Sequence, residues 1–237
     1  MSRHSKWSKV KQFKGAIDAK RSASFTKLAR EITIAAREKG GDASFNPRLR
    51  TAIERARNGS MPKENIERAI ARGIGGGDAG EIATLTYEAY APGGTAIVIE
   101  SLTDNRNRAV GEIKHLLSEH DASLATNGSV TYLFDHVGVV RLSVGSLPAN
   151  AELAFIEAGA SDIIVDGESI ELRMPPNHLA SVSDATARFG FTAETIALEW
   201  IPKMLVDTDE VVATHIMELI DELEAHDDVS RVFSNLA

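Results

Sequence analysis

A chain of 237 residues with 43% hydrophobic and 25% charged residues has the composition of a globular protein and is long enough for two or three domains. It contains no cysteine, which excludes disulfides and thiolate metal sites. No apolar run approaches the roughly 18 residues that a membrane span needs, and the basic N-terminus leads into no signal-like stretch, so we expect a cytoplasmic protein without a membrane partner.

Positive charge is concentrated in the first third of the chain, although the whole chain has a net charge of −8. Residues 1–72 hold 18 of the 26 Lys and Arg and 7 of the 34 Asp and Glu, so their net charge is +11 and that of the remainder is −19. Charge of one sign confined to one segment indicates a protein that binds polyanions. The alternative interpretation is a set of helices whose basic faces are only solvated.

The basic segment begins with an arm and a long helix. Residues 1–17 carry four lysines around Trp7 and little periodic apolar content, which predicts an arm that orders on binding. From about Asp18 to the glycines at 40 and 41, apolar residues recur at helical spacing, which predicts an amphipathic helix. Its apolar face holds Phe25, Leu28, Ile32, Ala35 and Ala36, and its opposite, solvent face holds Lys27, Arg30 and Arg37.

Two shorter helices follow. Asn46 and Pro47 are typical of an N-cap and a first-turn proline, and the glycine at 59 ends that pattern. Residues 60–62 open the next helix, which we expect Gly73 to stop. Residues 73–80 hold five glycines and are predicted to be a linker. A nucleotide-binding glycine loop is excluded there, because such a loop follows a strand and opens a helix.

The remaining sequence alternates between strand and helix patterns, with turn signals at Pro92-Gly93-Gly94 and at Asp166-Gly167. In chain order we predict strands at 83–90 and 95–102, a helix capped by Asp104, strands at 129–134 and 137–144, a helix at 150–158, strands at 161–165 and 169–173, a helix at 177–189, a strand at 194–201, a helix at 209–225 and a strand at 229–233.

This element order predicts an α+β fold with a three-helix bundle at its N-terminus. Residues 137–201 read strand-helix-strand-strand-helix-strand, a complete ferredoxin-like unit. Residues 83–134 lack one helix, which the C-terminal tail at residues 209–233 can supply. We therefore expect a discontinuous domain with the ferredoxin-like unit inserted into it. The predicted domains are 1–75, a basic helical domain with its arm; 79–134 with 206–237, the discontinuous α+β domain; and 135–205, the inserted α+β domain.

Long motifs along nearly the whole chain resemble the YebC family. They are His4-Ser5-Lys6-Trp7 with Lys11, Phe25-Thr26-Lys27-Leu28 with Arg30-Glu31-Ile32, Asn46-Pro47-Arg48-Leu49-Arg50, the run from Met61 to Ile70, Leu102-Thr103-Asp104-Asn105-Arg106-Asn107-Arg108, Gly128-Ser129-Val130 before Tyr132-Leu133-Phe134, and Asp227-Asp228-Val229.

The resemblance implies three domains around a cleft. Bacterial members of that family are usually called probable transcriptional regulators that bind DNA. The mitochondrial relative is a translational activator of a cytochrome oxidase subunit, and other members point to the ribosome and to relief of stalled elongation. The resemblance therefore implies a regulator of gene expression and leaves its nucleic acid open.

Candidate nucleic-acid contacts are the basic side chains of the arm and the helices, together with Trp7, which can stack on an exposed base. Two arginines after Asp104 can extend this surface along the cleft, although the alternative is a capped helix start with exposed arginines. The predicted nucleic-acid-binding residues are Lys6, Trp7, Lys9, Lys11, Lys14, Lys20, Arg21, Lys27, Arg30, Arg48, Arg50, Arg55, Arg57, Arg106 and Arg108.

Catalytic and metal chemistry have no comparable support in the sequence. The seven histidines include no pair at i and i+4, and His115 and His120 fall about 140° apart on a helix. There is also no nucleophile-elbow motif. We therefore expect no enzyme activity, no cofactor, no metal and no small-molecule substrate.

Two nucleic-acid targets stay open for the basic segment, duplex DNA and ribosomal RNA. The helices present Arg and Lys without a paired Asn or Gln that reads bases, which favours recognition of backbone and shape. We expect a monomeric DNA-binding transcriptional regulator, with a ribosome-associated translation factor as the alternative. A protein-interaction adaptor that uses its acidic domains is a further alternative.

Overall fold

The computed structural model describes residues 19–75, 83–143, 147–167 and 169–237. Residues up to Leu133 together with Pro202–Ala237 form one compact unit, and Phe134–Ile201 form a second. The α+β class is confirmed: three helices precede two four-stranded sheets with helices. The finer division with a boundary near residue 75, and the cleft, stay predictions. None of the described helices is long and apolar enough to cross a membrane.

Residues 19–75, called here the helical head, contain helices α1 (Ala19–Lys39), α2 (Pro47–Asn58) and α3 (Lys63–Ile74). The predicted apolar stripe of α1 is confirmed, since Ile32, Ala35 and Ala36 are buried against α2 and α3. Asn46 caps α2 as predicted: its Oδ1 accepts a hydrogen bond from the Leu49 amide at 3.1 Å. The head therefore has a core of its own, made by one face of each helix.

Gly73 does not end α3, contrary to the sequence prediction. The helix continues to Ile74, and Gly73 lies buried inside it against α1. A Cβ atom at this position would lie 2.5 Å from the Thr33 carbonyl oxygen and 2.7 Å from the Ala36 Cβ. The glycine is required by the close approach of two helices, which a sequence pattern cannot distinguish from a helix stop.

The first sheet contains strands from both ends of the larger unit. Strands β1 (Ala83–Ala91) and β2 (Thr95–Thr103) form a hairpin around residues 92–94, and helix α4 (Arg106–Glu119) and a two-residue strand β3 (Ser123–Leu124) follow. The tail supplies the helix Glu210–Ala225 and the strand Val229–Ser234, and that strand pairs with β2. The order is therefore β3, β1, β2 and the tail strand.

Apolar side chains of the tail complete the core of this sheet. Ile97 and Ile99 of β2 and Ile113 and Leu117 of α4 are fully buried. They belong to the same cluster as four fully buried side chains of the tail helix, Ile216, Leu219, Ile220 and Leu223. Two hydrophobic segments about 100 residues apart in sequence thus share one core.

The predicted strand at 129–134 is wrong. Residues Thr131–Leu133 form a 3-10 turn, and the next strand begins at Phe134. The reason is Glu88 of β1, which is only 4% exposed and whose carboxylate accepts hydrogen bonds from the amides of Gly128 (2.7 Å), Val130 (2.6 Å) and Thr131 (2.9 Å). A buried carboxylate takes the bonds that a neighbouring strand would have taken.

These bonds also set the ionisation of Glu88. Burial by itself raises the pKa of its carboxyl, but the hydrogen bonds from the three backbone amides outweigh burial and hold that pKa below its usual value. The folded chain therefore favours the charged form of Glu88.

We expect Glu88→Gln to lower the free energy of unfolding at neutral pH by about 2 kcal/mol, because an amide replaces one of the two accepting oxygens at a buried site. Urea denaturation followed by circular dichroism measures this change. Glu54→Gln on the exposed side of α2 removes the same charge and should change stability little. Equal stability of both variants would show that the carboxylate does not hold the 128–131 turn.

The second unit has the predicted strand-helix-strand-strand-helix-strand order. Its elements are β4 (Phe134–Ser143), α5 (Ala149–Glu157), β5 (Asp162–Asp166), β6 (Ser169–Met174), α6 (Leu179–Arg188) and β7 (Ala193–Pro202), after which the tail elements are α7 (Glu210–Ala225) and β8 (Val229–Ser234). The sheet order is β5-β6-β4-β7, the ferredoxin-like arrangement. Gly167, with φ of 62°, lies at the predicted hairpin turn.

Candidate nucleic-acid interface

The described part of the helical head, residues 19–75, carries 13 Lys and Arg and six Asp and Glu. Helix α2 exposes three of the predicted contact residues, Arg48, Arg50 and Arg57, on the side away from its buried stripe. Helix α3 exposes three more cations that the sequence prediction missed, Lys63, Arg68 and Arg72. The four-residue spacing of Arg68 and Arg72 is the signal that would have found these two, because it places both on one helix face.

Two predicted contact residues on α2 form ion pairs within the head. Arg48 Nη1 lies 2.5 Å from Glu38 Oε1, but both side chains are almost half exposed, so water screens this pair and it is worth little. Arg55 was expected on a solvent face and is instead partly buried, with Nη1 2.7 Å from Glu31 Oε1. Arg48 keeps an exposed charge for a polyanion, whereas Arg55 also stabilises the contact between α1 and α2.

The expected solvent face of α1 is wrong for Lys27 and Arg30, which contact the tail. The Lys27 ammonium donates to the Glu224 carbonyl oxygen, and burial lowers the pKa of Lys27. Arg30 donates to the backbone oxygens of Leu102 at 2.9 Å and Asp227 at 2.8 Å. Glu224 and Asp227 lie 197 positions from their α1 partners in sequence, and Leu102 lies 72 positions from Arg30. No local pattern therefore marks this face as covered.

Asp228 is the centre of this contact. Its side chain is 1% exposed, and its carboxylate receives Arg30 Nη1 at 2.5 Å, Arg108 Nη2 at 2.9 Å and the Thr103 hydroxyl at 3.1 Å. Burial works to raise the pKa of the Asp228 carboxyl, but the hydrogen bonds from Arg108 and Arg30 outweigh burial and hold that pKa below its usual range. One carboxylate therefore joins α1 to the start of α4.

This arrangement changes the interpretation of the arginines after Asp104. Asn105, and not Asp104, is the N-cap of α4: its Oδ1 accepts from the Arg108 amide at 3.1 Å. Arg108 is 44% exposed but is held by Asp228 and by Asp104, at 3.0 Å. Arg106 is exposed. Of the two, Arg106 is the better placed to meet a phosphate.

The other predicted contacts are in the arm and at the start of α1. Lys20 and Arg21 belong to the first turn of α1. The remaining predictions lie outside the described residues: Lys6, Trp7, Lys9, Lys11 and Lys14.

A pocket of about 360 Å³ opens beside α1 and α3. Three arginines (Arg30, Arg68 and Arg72) line it together with the polar Asn65, the acidic Asp104 and apolar side chains such as Phe25 and Met61. Arg68 is oriented by its own helix, since its Nη2 donates to Asn65 Oδ1 at 2.5 Å. The pocket adds a concave cationic feature to the exposed face of α3.

Two of the described histidines, His120 after α4 and His215 on α7, lie close together. His120 Nε2 lies 3.1 Å from Glu222 Oε2, and its ring is 4.7 Å from that of His215. Within the described ranges, no group of three or more His, Asp or Glu side chains is arranged to hold a metal ion.

Comparison with known proteins places both parts of the chain in one family. The model of the TACO1/YebC protein N-terminal domain matches residues 5–76, and that of the TACO1/YebC second and third domain matches residues 82–236.

Full-length relatives and a solved structure agree with this match. A probable transcriptional regulatory protein of Rubrobacter xylanophilus is 45% identical over 99% of this chain and 95% of its own length. One from Paraburkholderia phytofirmans is 42% identical over 100% and 98%. The crystal structure of a conserved hypothetical protein from Aquifex aeolicus, 38% identical, superposes with a TM-score of 0.82 and covers 94% of this chain and 92% of that one. The chain therefore belongs to the TACO1/YebC family.

Proposed function

We propose that this chain is a non-enzymatic transcriptional regulator that binds nucleic acid, DNA in the first instance, through its helical head. The observation that carries the proposal is the excess of exposed arginine and lysine on α2 and α3, in a chain whose remaining residues are strongly acidic. A basic surface attracts a phosphate backbone, and acidic surroundings confine the polyanion to that surface.

The names of related proteins also support a role in transcriptional regulation. Proteins that match nearly the full length of this chain at 42–45% identity are called probable transcriptional regulatory proteins. Arginine without neighbouring base-reading side chains contacts phosphates and positions a protein on its target without reading sequence. We therefore expect affinity that depends steeply on salt and weakly on sequence.

The double substitution Arg48→Ala and Arg57→Ala in the full chain should weaken binding by about ten- to hundredfold at about 0.1 M salt, because two phosphate contacts are lost. The slope of log affinity against log salt should become shallower by about two units. Fluorescence anisotropy with several unrelated duplexes, at several salt concentrations, measures both quantities.

The matched control is Lys114→Ala with Arg188→Ala, which removes two exposed positive charges from helices outside the head. It should leave affinity and salt slope nearly unchanged, and thermal melts should show that both double variants are folded. An equal loss of affinity in both double variants would mean that only net charge matters. The proposal that the head is the binding surface would then be wrong. A loss confined to one duplex would instead indicate base readout.

Ribosomal RNA is the second candidate target, which would make the chain a ribosome-associated translation factor. The observation that favours it is the exposed aromatic side chain of Phe45, just before α2, because RNA is recognised largely through unpaired, stackable bases. Sedimentation of cell lysate on a sucrose gradient separates the candidates, since a ribosome-bound factor moves with the ribosomal fractions.

A further inference from the structure

The side chain of Phe45 is exposed to solvent, although the helices on both sides of its loop contribute to a hydrophobic core. It is 83% exposed, the most exposed large apolar side chain among the described residues. The loop that carries it, residues 40–46, joins α1 to α2, and apolar side chains of both helices, Ile32, Leu49 and Ile53, are buried in the core of the head. An exposed phenylalanine forfeits the stabilisation that burial of its ring would have given.

The backbone on one side of Phe45 is fixed by Asn46. This residue is fully buried, and its amide nitrogen donates to the carbonyl oxygens of Ala35 at 2.7 Å and Gly40 at 2.9 Å. Its side-chain oxygen caps α2. Three bonds from one side chain therefore tie the loop to the end of α1 and the start of α2.

The backbone on the other side is fixed by Arg50 and Asp42. Arg50 Nε donates to the Ala43 carbonyl oxygen and its Nη2 to that of Ser44, each at 3.2 Å. The Asp42 carboxylate accepts from the Ser44 amide at 2.8 Å. The ring of Phe45 thus projects from a loop whose backbone is held on both sides. The loop backbone therefore loses little conformational entropy when the ring contacts a ligand.

Two exposed cations follow this aromatic side chain in the sequence. Arg48 and Arg50 lie three and five residues after Phe45, in the first turn of α2, and both are exposed. An aromatic face next to arginines is the combination by which proteins bind single-stranded nucleic acid: the ring stacks on a base, and the cations hold the backbone.

We propose that Phe45 is a stacking platform for one unpaired nucleobase of the nucleic acid bound by the helical head. This inference rests on the proposed function and restricts it. Phenyl carries no hydrogen-bond donor or acceptor, so the site is indifferent to the identity of the base. It needs a base whose face is open, as in a single strand, bulge or loop, and an intact duplex keeps its bases stacked.

The test compares the full-length parent with Phe45→Ala, Phe45→Trp and Val211→Ala. Val211 is 80% exposed on α7 in the acidic part of the chain, so its substitution is a matched control for loss of an exposed apolar side chain. Each protein is titrated with a short single-stranded DNA, a single-stranded RNA of the same sequence, and the corresponding blunt duplex.

On single strands, Phe45→Ala should bind about 5- to 150-fold more weakly than the parent, and Phe45→Trp and Val211→Ala should bind like the parent. On the duplex, Phe45→Ala should bind like the parent. The salt slope should not change, because no charge is removed.

A loss restricted to RNA, or to DNA, supports the platform and identifies the strand chemistry. Melting curves of the alanine variant should match the parent, since the ring is not in the core.

Unchanged binding of Phe45→Ala to both strands, while Arg48→Ala with Arg57→Ala still weakens binding, would overturn the platform and leave the proposed function standing. An equal loss on single strands and duplex would also overturn it, because the ring would then not depend on an unpaired base. If the parent bound none of the three nucleic acids, both proposals would fall.

Discussion

A chain that ends at residue 208 is expected to lose cooperative unfolding and to aggregate. The missing tail contains α7 and β8, and β8 is the hydrogen-bonded partner of β2 in the first sheet. Without it, β2 becomes an edge strand whose buried face is apolar, with Ile97 and Ile99 uncovered. Such an edge is a template for pairing with other chains.

The energetic loss is as large as the stability of a whole domain. The tail buries five large aliphatic side chains completely: Ile216, Leu219, Ile220, Leu223 and Val229. At about 1.5–3 kcal/mol each, they contribute about 8–15 kcal/mol, against a typical net stability of about 5–15 kcal/mol. No adjustment of the remaining chain replaces them.

Circular dichroism melts and size-exclusion chromatography measure this outcome. The control is a chain that begins at residue 76: it loses far more residues but keeps the whole first sheet, because the head has a hydrophobic cluster separate from that of the sheet. It should not aggregate and should melt cooperatively. If the tail-deleted chain melted like the parent, the tail would not be part of the first sheet's fold.

Local patterns were sufficient to predict most of the fold. The Asp166-Gly167 turn between two apolar runs predicts the β5–β6 hairpin, and the ferredoxin-like order of residues 134–202 follows from the sequence of element types alone. Turn chemistry and hydrophobic period act within a few residues, so a single sequence contains them.

The errors in the fold have a different origin. The sequence predicts Gly73 as a helix stop, but a glycine is needed there because α1 packs so closely. A Cβ atom at this position would lie 2.5 Å from a backbone oxygen of α1. The 129–134 segment was misread as a strand because Glu88, about 40 positions earlier, takes its amide hydrogen bonds. Both depend on residues distant in sequence, about which local propensity contains no information.

The candidate site divides in the same way. Exposure of Arg48, Arg50 and Arg57 follows from helical spacing and was predicted correctly. The ion pairs of Arg30 and Arg108 with Asp228 were not predictable, because the partners lie 198 and 120 positions apart in sequence. Phe45 was missed because a lone aromatic in a loop has no period, and its significance appears only with its exposure and its fixed backbone.

Asp228 joins the helical head to the first sheet, so we expect its substitution to lower the stability of the fold. Asp228→Asn leaves Arg30 and Arg108 without the negative charge that both of them contact. Breaking a buried ion pair costs about 3–5 kcal/mol, but water reaches part of this cluster, since Arg108 is 44% exposed. We expect a loss of about 2 kcal/mol in the free energy of unfolding at neutral pH.

The pH dependence gives this prediction its sharper test. The pKa of Asp228 is lower in the folded chain than its usual value. Its carboxylate therefore stabilises the fold fully above the unfolded pKa of about 4, and this contribution disappears as the pH falls through the lower folded value. Urea denaturation at several pH values from about 7 to about 3 should show parent and Asp228→Asn far apart at neutral pH and converging in acid.

Asp207→Asn is the matched control for this series, because Asp207 is an exposed carboxylate in the same compact unit. It should remain close to the parent at every pH. A difference between parent and Asp228→Asn that stayed constant down to the lowest pH would mean that the charge is not what holds the cluster. Convergence would show that the charge of Asp228 contributes to holding the helical head on the first sheet. The arginines that it occupies would then have to be counted as part of the fold and not as contacts for nucleic acid.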